Sequence, residues 1–315
     1  MSDLEMAATT ELGARPGEVP PAAGGTPPPK TRSLAGDAWY DLRRNWIFWV
    51  AAALVVLVVL MAVAPGLFSS ADPTACNTRR QYAGPSGGAI LGYDFQGCDV
   101  FSRTVHGARA SVLVGLFAVL LTGVIGLVFG MLAGYFGGWL DALLSRVIDV
   151  VLGIPLLLAA IVLSKRLAAD RSGSGIVSVV IVLGILGWTT AARVMRSSVL
   201  AARSQDYVAA ARMLGAGPLR IMWRHILPNA LAPFIVVLTI ALGTFIATEA
   251  TLSFLNIGLR PPAISWGIDI ATAGKHVREA AMPLIAPSLF LTLTVLAFIM
   301  LGDAIRDAFD PKLRR

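Results

Sequence analysis

A short polar segment lies between two long apolar runs, and its residues 206–228 read DYVAAARMLGAGPLRIMWRHILP. Its alanine-rich start consists of good helix formers, and Gly215 and Gly217 can take the positive φ that ends a helix. Pro218 suits the first turn of a second helix, and Pro228 is expected to mark the boundary before the next apolar run. The segment therefore predicts a helix, a turn and a second helix outside the apolar part of the chain.

Composition places most of the chain in a lipid bilayer. Of its 315 residues, 56% are hydrophobic and 14% are charged, and the mean hydropathy is +0.72. A soluble domain carries far more charge. Apolar runs near the ~17 to 25 residues that cross a bilayer occur at residues 46–64, 110–135, 147–163, 176–192, 230–250 and 282–301. We predict an all-α, polytopic membrane protein with six transmembrane helices.

An even number of spans puts both termini on one side of the membrane. Lys and Arg are somewhat more frequent in the segments that lie inside if both termini are cytoplasmic. The positive-inside rule therefore favours that orientation. Trp39 and Trp46 beside Arg43 and Arg44 are typical of an interfacial anchor before the first span.

The predicted organisation follows from these spans. Residues 1–33, rich in Gly and Pro, are expected to form a disordered cytoplasmic tail. The remaining parts are an interfacial segment with the first span (34–64), an extracytoplasmic loop (65–109), a five-helix core (110–303) and a cytoplasmic C-terminal tail (304–315).

The net charge of +7 does not indicate nucleic acid, because Lys and Arg are scattered over every loop. Anionic lipid headgroups are the expected partner of this charge.

Cys76 and Cys98 are the two cysteines of the chain, and both fall in the predicted extracytoplasmic loop. That compartment permits disulfides. A single pair of cysteines lacks the second ligand pair of a zinc site, so no metal site is expected. A structural disulfide is favoured, and two free thiols or a redox role remain open.

Gly126, Gly130 and Gly134 recur at every fourth residue of the second span. They share one face of that helix, where small residues allow another helix to approach closely. Packing against a helix of the same chain is the simpler expectation, and contact with a partner subunit is the alternative.

The segment 206–228 resembles the loop that defines the permeases of ABC importers. That loop has a Glu-Ala-Ala triplet, a later Gly and a closing Ile/Leu-Leu-Pro. Here residues 209–211, Gly215 and residues 226–228 take those places, with Ala209 where the family often has Glu.

Further motifs are similar to the dipeptide, oligopeptide and nickel branch of that family, in its shorter C-type subunit, over roughly residues 90–313. They are LGYDFQG (91–97), DVFSR (99–103), GAR (107–109), AGYFGG (133–138), EATLSF (249–254), PP (261–262), SWG (265–267) and LGDAIRD (301–307).

The resemblance implies a MetI-like architecture in a bacterial inner membrane and a set of partners. These are a second homologous permease, two cytoplasmic ATPases that carry ATP and Mg, and an extracytoplasmic substrate-binding protein. It also implies that the polar loop contacts an ATPase and transmits its movement. The residues expected to do so are Tyr207, Ala210, Ala211, Arg212, Met213, Leu214, Gly215, Arg220, Leu227 and Pro228.

Other functions fit the residues less well. The chain has no Gly-x-x-x-x-Gly-Lys-Ser/Thr phosphate loop, so it is not expected to be an ATPase, to bind a cofactor or to act as an enzyme. Its histidines lie in loops or at helix ends, which disfavours an intramembrane protease. Asp149 is expected to pair with Arg146 near the inner boundary, which disfavours an ion-driven secondary transporter. A scaffold that moves nothing is a further alternative.

Glu249 is the acidic residue of most interest. It lies about 20 residues beyond Pro228, hence about 30 Å along a helix, which predicts a place near the outer interface. There it is either an outer gate or a carboxylate that snorkels to water without a role. Peptides are the expected substrate, with nickel or another small solute as the alternative.

Overall fold

The structure is a computed structural model that describes residues 34–167 and 175–309. Within these ranges the chain is helical and forms no β-strand. The helices of the first half are α1 (Leu34–Arg44), α2 (Trp46–Val63), α3 (Val100–Phe136), α4 (Gly138–Gly153) and α5 (Leu156–Leu167). Those of the second half are α6 (Ile176–Arg203), α7 (Asp206–Met213), α8 (Pro218–Ile221), α9 (Leu227–Phe254), α10 (Trp266–Ala273) and α11 (Met282–Phe309). The tail predicted at residues 1–33 lies outside the described part.

Among the described residues, five helical segments are long and apolar enough to cross a membrane. They are Trp46–Val63, Val100–Phe136, Ile176–Arg203, Pro218–Phe254 and Met282–Phe309. The bent pair α4 and α5 makes a sixth if the two helices count as one span. The predicted all-α membrane fold is confirmed, and the count is five or six.

The third predicted span is not the continuous helix expected over residues 147–163. Its two halves, α4 and α5, meet at an angle of 87°. Ile154 is extended, with φ −86° and ψ 124°, because the ring of Pro155 disfavours a helical residue before it. Proline therefore breaks this span near its middle.

Close packing between α3 and α6 forms the centre of the bundle. A Cβ added to Gly126 would lie 2.7 Å from the Cβ of Ala191, and one added to Gly134 would lie 2.8 Å from Val199. The glycine face of α3 thus packs against a helix of the same chain, which confirms the simpler of the two predictions. The backbones can approach this closely only because these glycines have no side chain.

Helices α9 and α11 run antiparallel to each other, so the end of one lies beside the start of the other. Gly302 of α11 packs against Ile240 of α9, and Gly243 packs against Phe298 one turn further along. The end of α11 consequently lies beside the start of α9. We call this the inner end, and the opposite one the outer end.

At the inner end, α1 is held against the last turns of α11. Leu42 is buried with Ala304 and Ala308. Helix α11 continues to Phe309, so residues 304–309 of the predicted C-terminal tail are helical. Residues 310–315 lie outside the described part.

At the outer end, α3 begins earlier than its predicted start at residue 110. The carboxylate of Asp99 caps it by accepting hydrogen bonds from the N–H groups of Phe101 and Ser102. Val105 and Ala108 continue the helix and are buried in a cluster that includes Trp266. The prediction from the apolar run missed this extension, because the first turns of α3 contain polar residues.

Candidate functional site

Helix α7 ends in a turn that needs glycine at one position. Gly215 has φ +78°, the left-handed conformation that residues with a Cβ adopt at a cost. Its N–H donates to the carbonyl of Arg212 at 2.9 Å, and the N–H of Ala216 donates to the carbonyl of Ala211 at 3.0 Å. These are the two hydrogen bonds of a Schellman motif. Gly217 is extended, with φ −70°, and begins α8 instead of sharing the positive φ.

The second helix of the segment joins the next span without a break. Met222–Ile226 form a π-helical turn between α8 and α9, and the helix is continuous from Pro218 to Phe254. The boundary predicted at Pro228 is therefore wrong. Pro228 fits this position because it lies in the first turn of α9, which begins at Leu227, and because the wider π-helical turn directly precedes it.

One face of the segment is buried against the bundle. Val208 and Ile226 are fully buried, and Ala211 and Leu227 are nearly so. They pack with residues from the ends of α3 and α6, including Tyr135 and Val199. Two of the predicted contact residues, Ala211 and Leu227, thus hold the segment in place from within.

The opposite face is exposed and carries large apolar side chains. We call it the coupling surface. Its largest exposed members are Met213 (83%), Leu214 (88%), Leu219 (68%) and Trp223 (61%). The predicted residues Tyr207, Ala210, Arg212, Gly215, Arg220 and Pro228 are also exposed. Met213 and Leu214 precede the span Pro218–Phe254, and Leu219 and Trp223 lie in its first two turns. Apolar area of this kind at the end of a span, rimmed by arginine, is typical of a site that binds another protein.

Sequence reasoning missed Leu219 and Trp223. Their separation of four residues places both on one side of the α8 helix and its π-helical continuation. That spacing was the signal available in the sequence.

Two contacts tie the coupling surface to the helices behind it. The amide nitrogen of Asn229 in α9 donates to the hydroxyl of Tyr207 in α7 at 3.1 Å. The guanidinium of Arg212 lies 5.9 Å from the ring centre of Tyr135 at the end of α3. Movement of α7 is consequently linked to both α3 and α9.

The outer end is organised by the loop that contains both cysteines. Cys76 and Cys98 are joined in a disulfide, and the backbone N–H of Cys98 donates to Asp94 at 2.9 Å. Asp94 also accepts a hydrogen bond from the N–H of Gln96. The bridge therefore holds the turn that positions this carboxylate.

This loop docks on the segment around α10 through polar contacts that the sequence did not indicate. Arg103 pairs with Asp269 at 2.5 Å and lies 3.7 Å from Asp94. Burial raises the pKa of Asp269, and the nearby charge of Arg103 opposes that rise. His276 stacks on the ring of Phe95 at 5.1 Å between ring centres. The outer end is thereby fixed to the bundle.

Glu249 lies near the outer end of α9, but its side chain is fully buried. The alternative of a carboxylate that snorkels to water is therefore wrong. The hydroxyl of Ser253, one turn away and also buried, donates to its Oε1 at 2.8 Å. Its Oε2 atom and the buried hydroxyl of Ser111 in α3 make no hydrogen bond of ordinary geometry within the described residues. A polar group thus lies inside the bundle, between α3 and α9.

Asp149 pairs with a different arginine from the one expected. Its Oδ1 lies 2.6 Å from Arg193 of α6, so the predicted pair with Arg146 on the same helix is wrong. Asp141 of α4 makes a second such contact with Arg196. Both pairs connect α4 to α6, where few apolar side chains of α4 are buried.

Groups of three or more His, Cys, Asp or Glu that suit a metal ion do not occur in the described ranges.

Two family models match the chain. The model described as "Binding-protein-dependent transport system inner membrane component" matches residues 126–315. The one described as "N-terminal TM domain of oligopeptide transport permease C" matches residues 33–85.

Curated relatives are similar over nearly their whole length. The chain is 35% identical to the oligopeptide transport system permease protein OppC of Bacillus subtilis over 286 residues, which is 91% of this chain and 92% of that protein. It is 34% identical to the dipeptide transport system permease protein DppC of Alkalihalophilus pseudofirmus, over 92% of this chain and 95% of that protein. It is 36% identical to the glutathione transport system permease protein GsiD of Pectobacterium atrosepticum, over 88% of this chain and 91% of that protein.

Among solved structures, an inward-facing methionine ABC transporter has a similar fold. Its TM-score is 0.51 at 20% identity, and the match covers 65% of this chain and 96% of the other.

Proposed function

Because the chain belongs to the family of binding-protein-dependent transport system inner membrane components, we propose that it is a permease subunit of an ATP-driven peptide importer. The subunit forms half of a translocation path with a second, homologous permease. It is a transport subunit and not an enzyme, and the ATP and Mg that drive transport are bound by separate ATPases. Peptides are the favoured substrate because the relatives are named for dipeptide, oligopeptide and glutathione transport.

The coupling surface carries this proposal. It exposes Met213, Leu214, Leu219 and Trp223 while its other face is buried in the bundle. Met213 and Leu214 precede the span Pro218–Phe254, so their apolar side chains are exposed to water unless a partner protein covers them. A cytoplasmic ATPase is the partner that supplies energy to a chain without a phosphate loop of its own.

The inner end is then the cytoplasmic face of a bacterial inner membrane. The segment 206–228 places Arg212, Arg220 and Arg224 at this end, and α1 ends there with Arg43 and Arg44. This grouping of arginines at one end agrees with the positive-inside rule. The outer end, with its disulfide-closed loop, faces the substrate-binding protein.

Glu249 is proposed as part of the outer gate. Its carboxylate lies between α3 and α9, close to where α10 packs on α9, and Gly267 of α10 approaches within contact distance of Ala250. A rearrangement at the outer end must disturb this polar group. Its position therefore suits a residue whose hydrogen bonds change between open and closed states.

Nickel or another small solute is the second candidate substrate. The described residues offer no cluster of metal ligands, which favours peptides over a bare metal ion but leaves selectivity to the substrate-binding protein.

Co-purification tests the proposal. The tagged chain, extracted in mild detergent, should bring with it a second permease and two ATPase chains in stoichiometric amounts. Hydrolysis of ATP by that complex should rise when the substrate-binding protein and peptide are added. A chain that purifies alone, or a complex whose hydrolysis ignores peptide and responds to nickel, would contradict it.

A further inference from the structure

Four cationic side chains are exposed at the outer end of the bundle, and we call them the outer basic surface. They are Arg109 of α3, Lys165 and Arg166 at the end of α5, and Arg260 in the loop between α9 and α10. Within the described residues, none of the four forms an ion pair with a carboxylate. Their positive charge is therefore available to a partner.

The packing beneath these side chains brings them to one part of the outer end. The loop 255–265 lies between α6 and α3: a Cβ added to Gly175 would lie 3.1 Å from the carbonyl oxygen of Gly258, and one added to Gly107 would lie 3.4 Å from the carbonyl carbon of Ser265. The chain neighbours of the cations also belong to one apolar cluster, which includes Ala110, Leu167 and Leu259. The outer basic surface thus surrounds the outer edge of that cluster.

Carboxylates at the outer end are mostly engaged within the chain itself. Asp94 and Asp269 lie on either side of Arg103, and Asp99 caps α3. Of the exposed side chains described at this end, the acids are Asp72 and Glu279, whereas the bases are the outer basic surface together with Arg79, Arg80, Lys275 and Arg278. The connection between α5 and α6 also contains Asp170 and Arg171, whose charges cancel. The outer end therefore carries an excess of positive charge.

This excess departs from the positive-inside rule, which applies most strongly to short loops such as the one between α5 and α6. Lys165 and Arg166 there oppose the orientation that the rest of the chain favours, so insertion does not explain them. Lipid headgroups explain them poorly, because the negative surface potential of a membrane belongs mainly to its cytoplasmic leaflet. Arg260, moreover, lies on a loop held over the bundle by the buried Leu259, and not on a span.

We infer that the outer basic surface is a docking site for the substrate-binding protein, and that this partner presents an acidic face to it. Complementary charges speed the encounter of two proteins and fix their orientation. This inference rests on the proposed function and adds to it the residues of the contact and the sign of the charge on the partner.

A partner bound at Arg260 would act close to the proposed outer gate. The N–H group of Leu259 donates to the hydroxyl of Ser253 at 3.0 Å, and that hydroxyl donates to Oε1 of Glu249 at 2.8 Å. The loop that carries Arg260 is thus joined to Glu249 through two hydrogen bonds. Docking and gating are then linked within α9 and the loop that follows it.

Binding measurements test the charge. The assembled complex is placed in nanodiscs of phosphatidylcholine, and the Kd is measured for the substrate-binding protein that stimulates its ATP hydrolysis. Arg166→Gln and Arg260→Gln should each weaken binding by about two- to fivefold, the range of an exposed ion pair. The triple variant with Lys165→Gln should weaken it by about tenfold or more if these effects add.

Two controls accompany these variants. Arg44→Gln removes the same charge at the inner end and should leave the Kd unchanged. Basal ATP hydrolysis, measured without the substrate-binding protein, should be the same in all of these complexes and reports that they are folded. Raising NaCl from about 0.1 to about 1 M shortens the screening length from about 10 to about 3 Å, and should weaken binding by the unmodified complex more than by the triple variant.

Crosslinking tests the direct contact. A water-soluble carbodiimide joins an ammonium group to a neighbouring carboxylate as an amide, with loss of water. Mass spectrometry of the treated assembly should find the peptide that contains Lys165 linked to an Asp or Glu of the substrate-binding protein. Lys165→Arg keeps the charge but cannot form this amide under the same conditions, so it should retain the affinity and lose the crosslink.

The outcomes separate this inference from the proposed function. If no substrate-binding protein stimulates ATP hydrolysis by the unmodified complex, both are contradicted. If one does, but the triple variant binds it with unchanged affinity, this inference alone is wrong. It is equally wrong if the triple variant loses bound phosphatidylglycerol in native mass spectrometry while its affinity for the substrate-binding protein is unchanged, since the surface then binds lipid.

Discussion

Asn229 donates a hydrogen bond to the hydroxyl of Tyr207 at 3.1 Å, which joins the first turn of α7 to the first turn of α9. Tyr207 lies on the coupling surface, and α9 continues from Asn229 to Glu249 near the outer end. A displacement of α7 by a bound partner therefore acts directly on the helix that spans the whole bundle. We therefore predict that this contact transmits movement from a bound ATPase to α9.

The glycine turn after α7 gives a matched pair of substitutions. Gly215 has φ +78° and Gly217 has φ −70°, and an added Cβ at either position would meet no atom within 4 Å. Gly215→Ala should therefore cost about 1–2 kcal/mol through backbone conformation alone, while Gly217→Ala should cost less. We expect Gly215→Ala, and more strongly Gly215→Arg, to insert normally but to reduce peptide-stimulated ATP hydrolysis. Equal ATP hydrolysis by the Gly215→Ala and Gly217→Ala complexes would show that the positive φ at residue 215 has no part in coupling.

The exposed apolar residues of the coupling surface should bind the ATPase. Trp223→Ala and Leu214→Ala should each weaken ATPase association by about 2 kcal/mol or more if they are interface hot spots. Leu120→Ala, on the apolar face of α3, serves as the control for loss of an exposed apolar side chain. The amount of ATPase that co-purifies with each variant measures the effect, and unchanged recovery with both coupling variants would place the ATPase elsewhere.

Parts of this site were predictable from the sequence because they depend on local backbone requirements. A glycine between two helix-forming stretches, such as Gly215, predicts a turn that needs a positive φ. Apolar runs likewise predict spans, since lipid forces each run into a helix. A disulfide between Cys76 and Cys98 was favoured because they are the two cysteines of the chain and both fall in the predicted outer loop, although free thiols remained open, and the structure contains the bond.

Other parts depend on tertiary packing and could not be predicted in this way. By hydropathy alone, residues 147–163 form one apolar run and predict one helix. Pro155 breaks that helix because its ring forces Ile154 into an extended conformation. Glu249 was expected near the outer interface, but whether its carboxyl group is exposed or buried there depends on how α3 packs against α9. Trp223 was overlooked because the sequence alone does not reveal whether an apolar residue in the first turns of a span is buried or exposed.

The disulfide should stabilise the outer loop. Cys98→Ser should lower the free energy of unfolding by about 2–4 kcal/mol on the chain-entropy estimate, and peptide uptake should fall only as the folded fraction falls. The double variant with Cys76→Ser should resemble the single one, because either change removes the same bond. Mass spectrometry of alkylated, non-reduced protein should recover the linked peptides, whereas complete alkylation of both thiols would show that no bond forms.

Replacement of Glu249 separates a gating role from a structural one. Glu249→Gln keeps an oxygen that can accept from Ser253, so we expect normal expression and altered peptide uptake. Ser253→Ala is the structural control, because it removes that donor while the carboxylate stays buried, at a cost of about 1–3 kcal/mol. Wild-type uptake by the Glu249→Gln complex would mean that the carboxyl group of this residue has no part in gating.

Transport by the reconstituted complex tests the central claim most directly. The purified permease pair and ATPases in proteoliposomes, with the substrate-binding protein outside and ATP in the lumen, should accumulate a radiolabelled tripeptide. Accumulation should stop when ATP is replaced by a non-hydrolysable analogue, and an imposed proton or sodium gradient should not restore it. Uptake that follows an ion gradient without ATP, or accumulation of nickel but no peptide, would contradict the account.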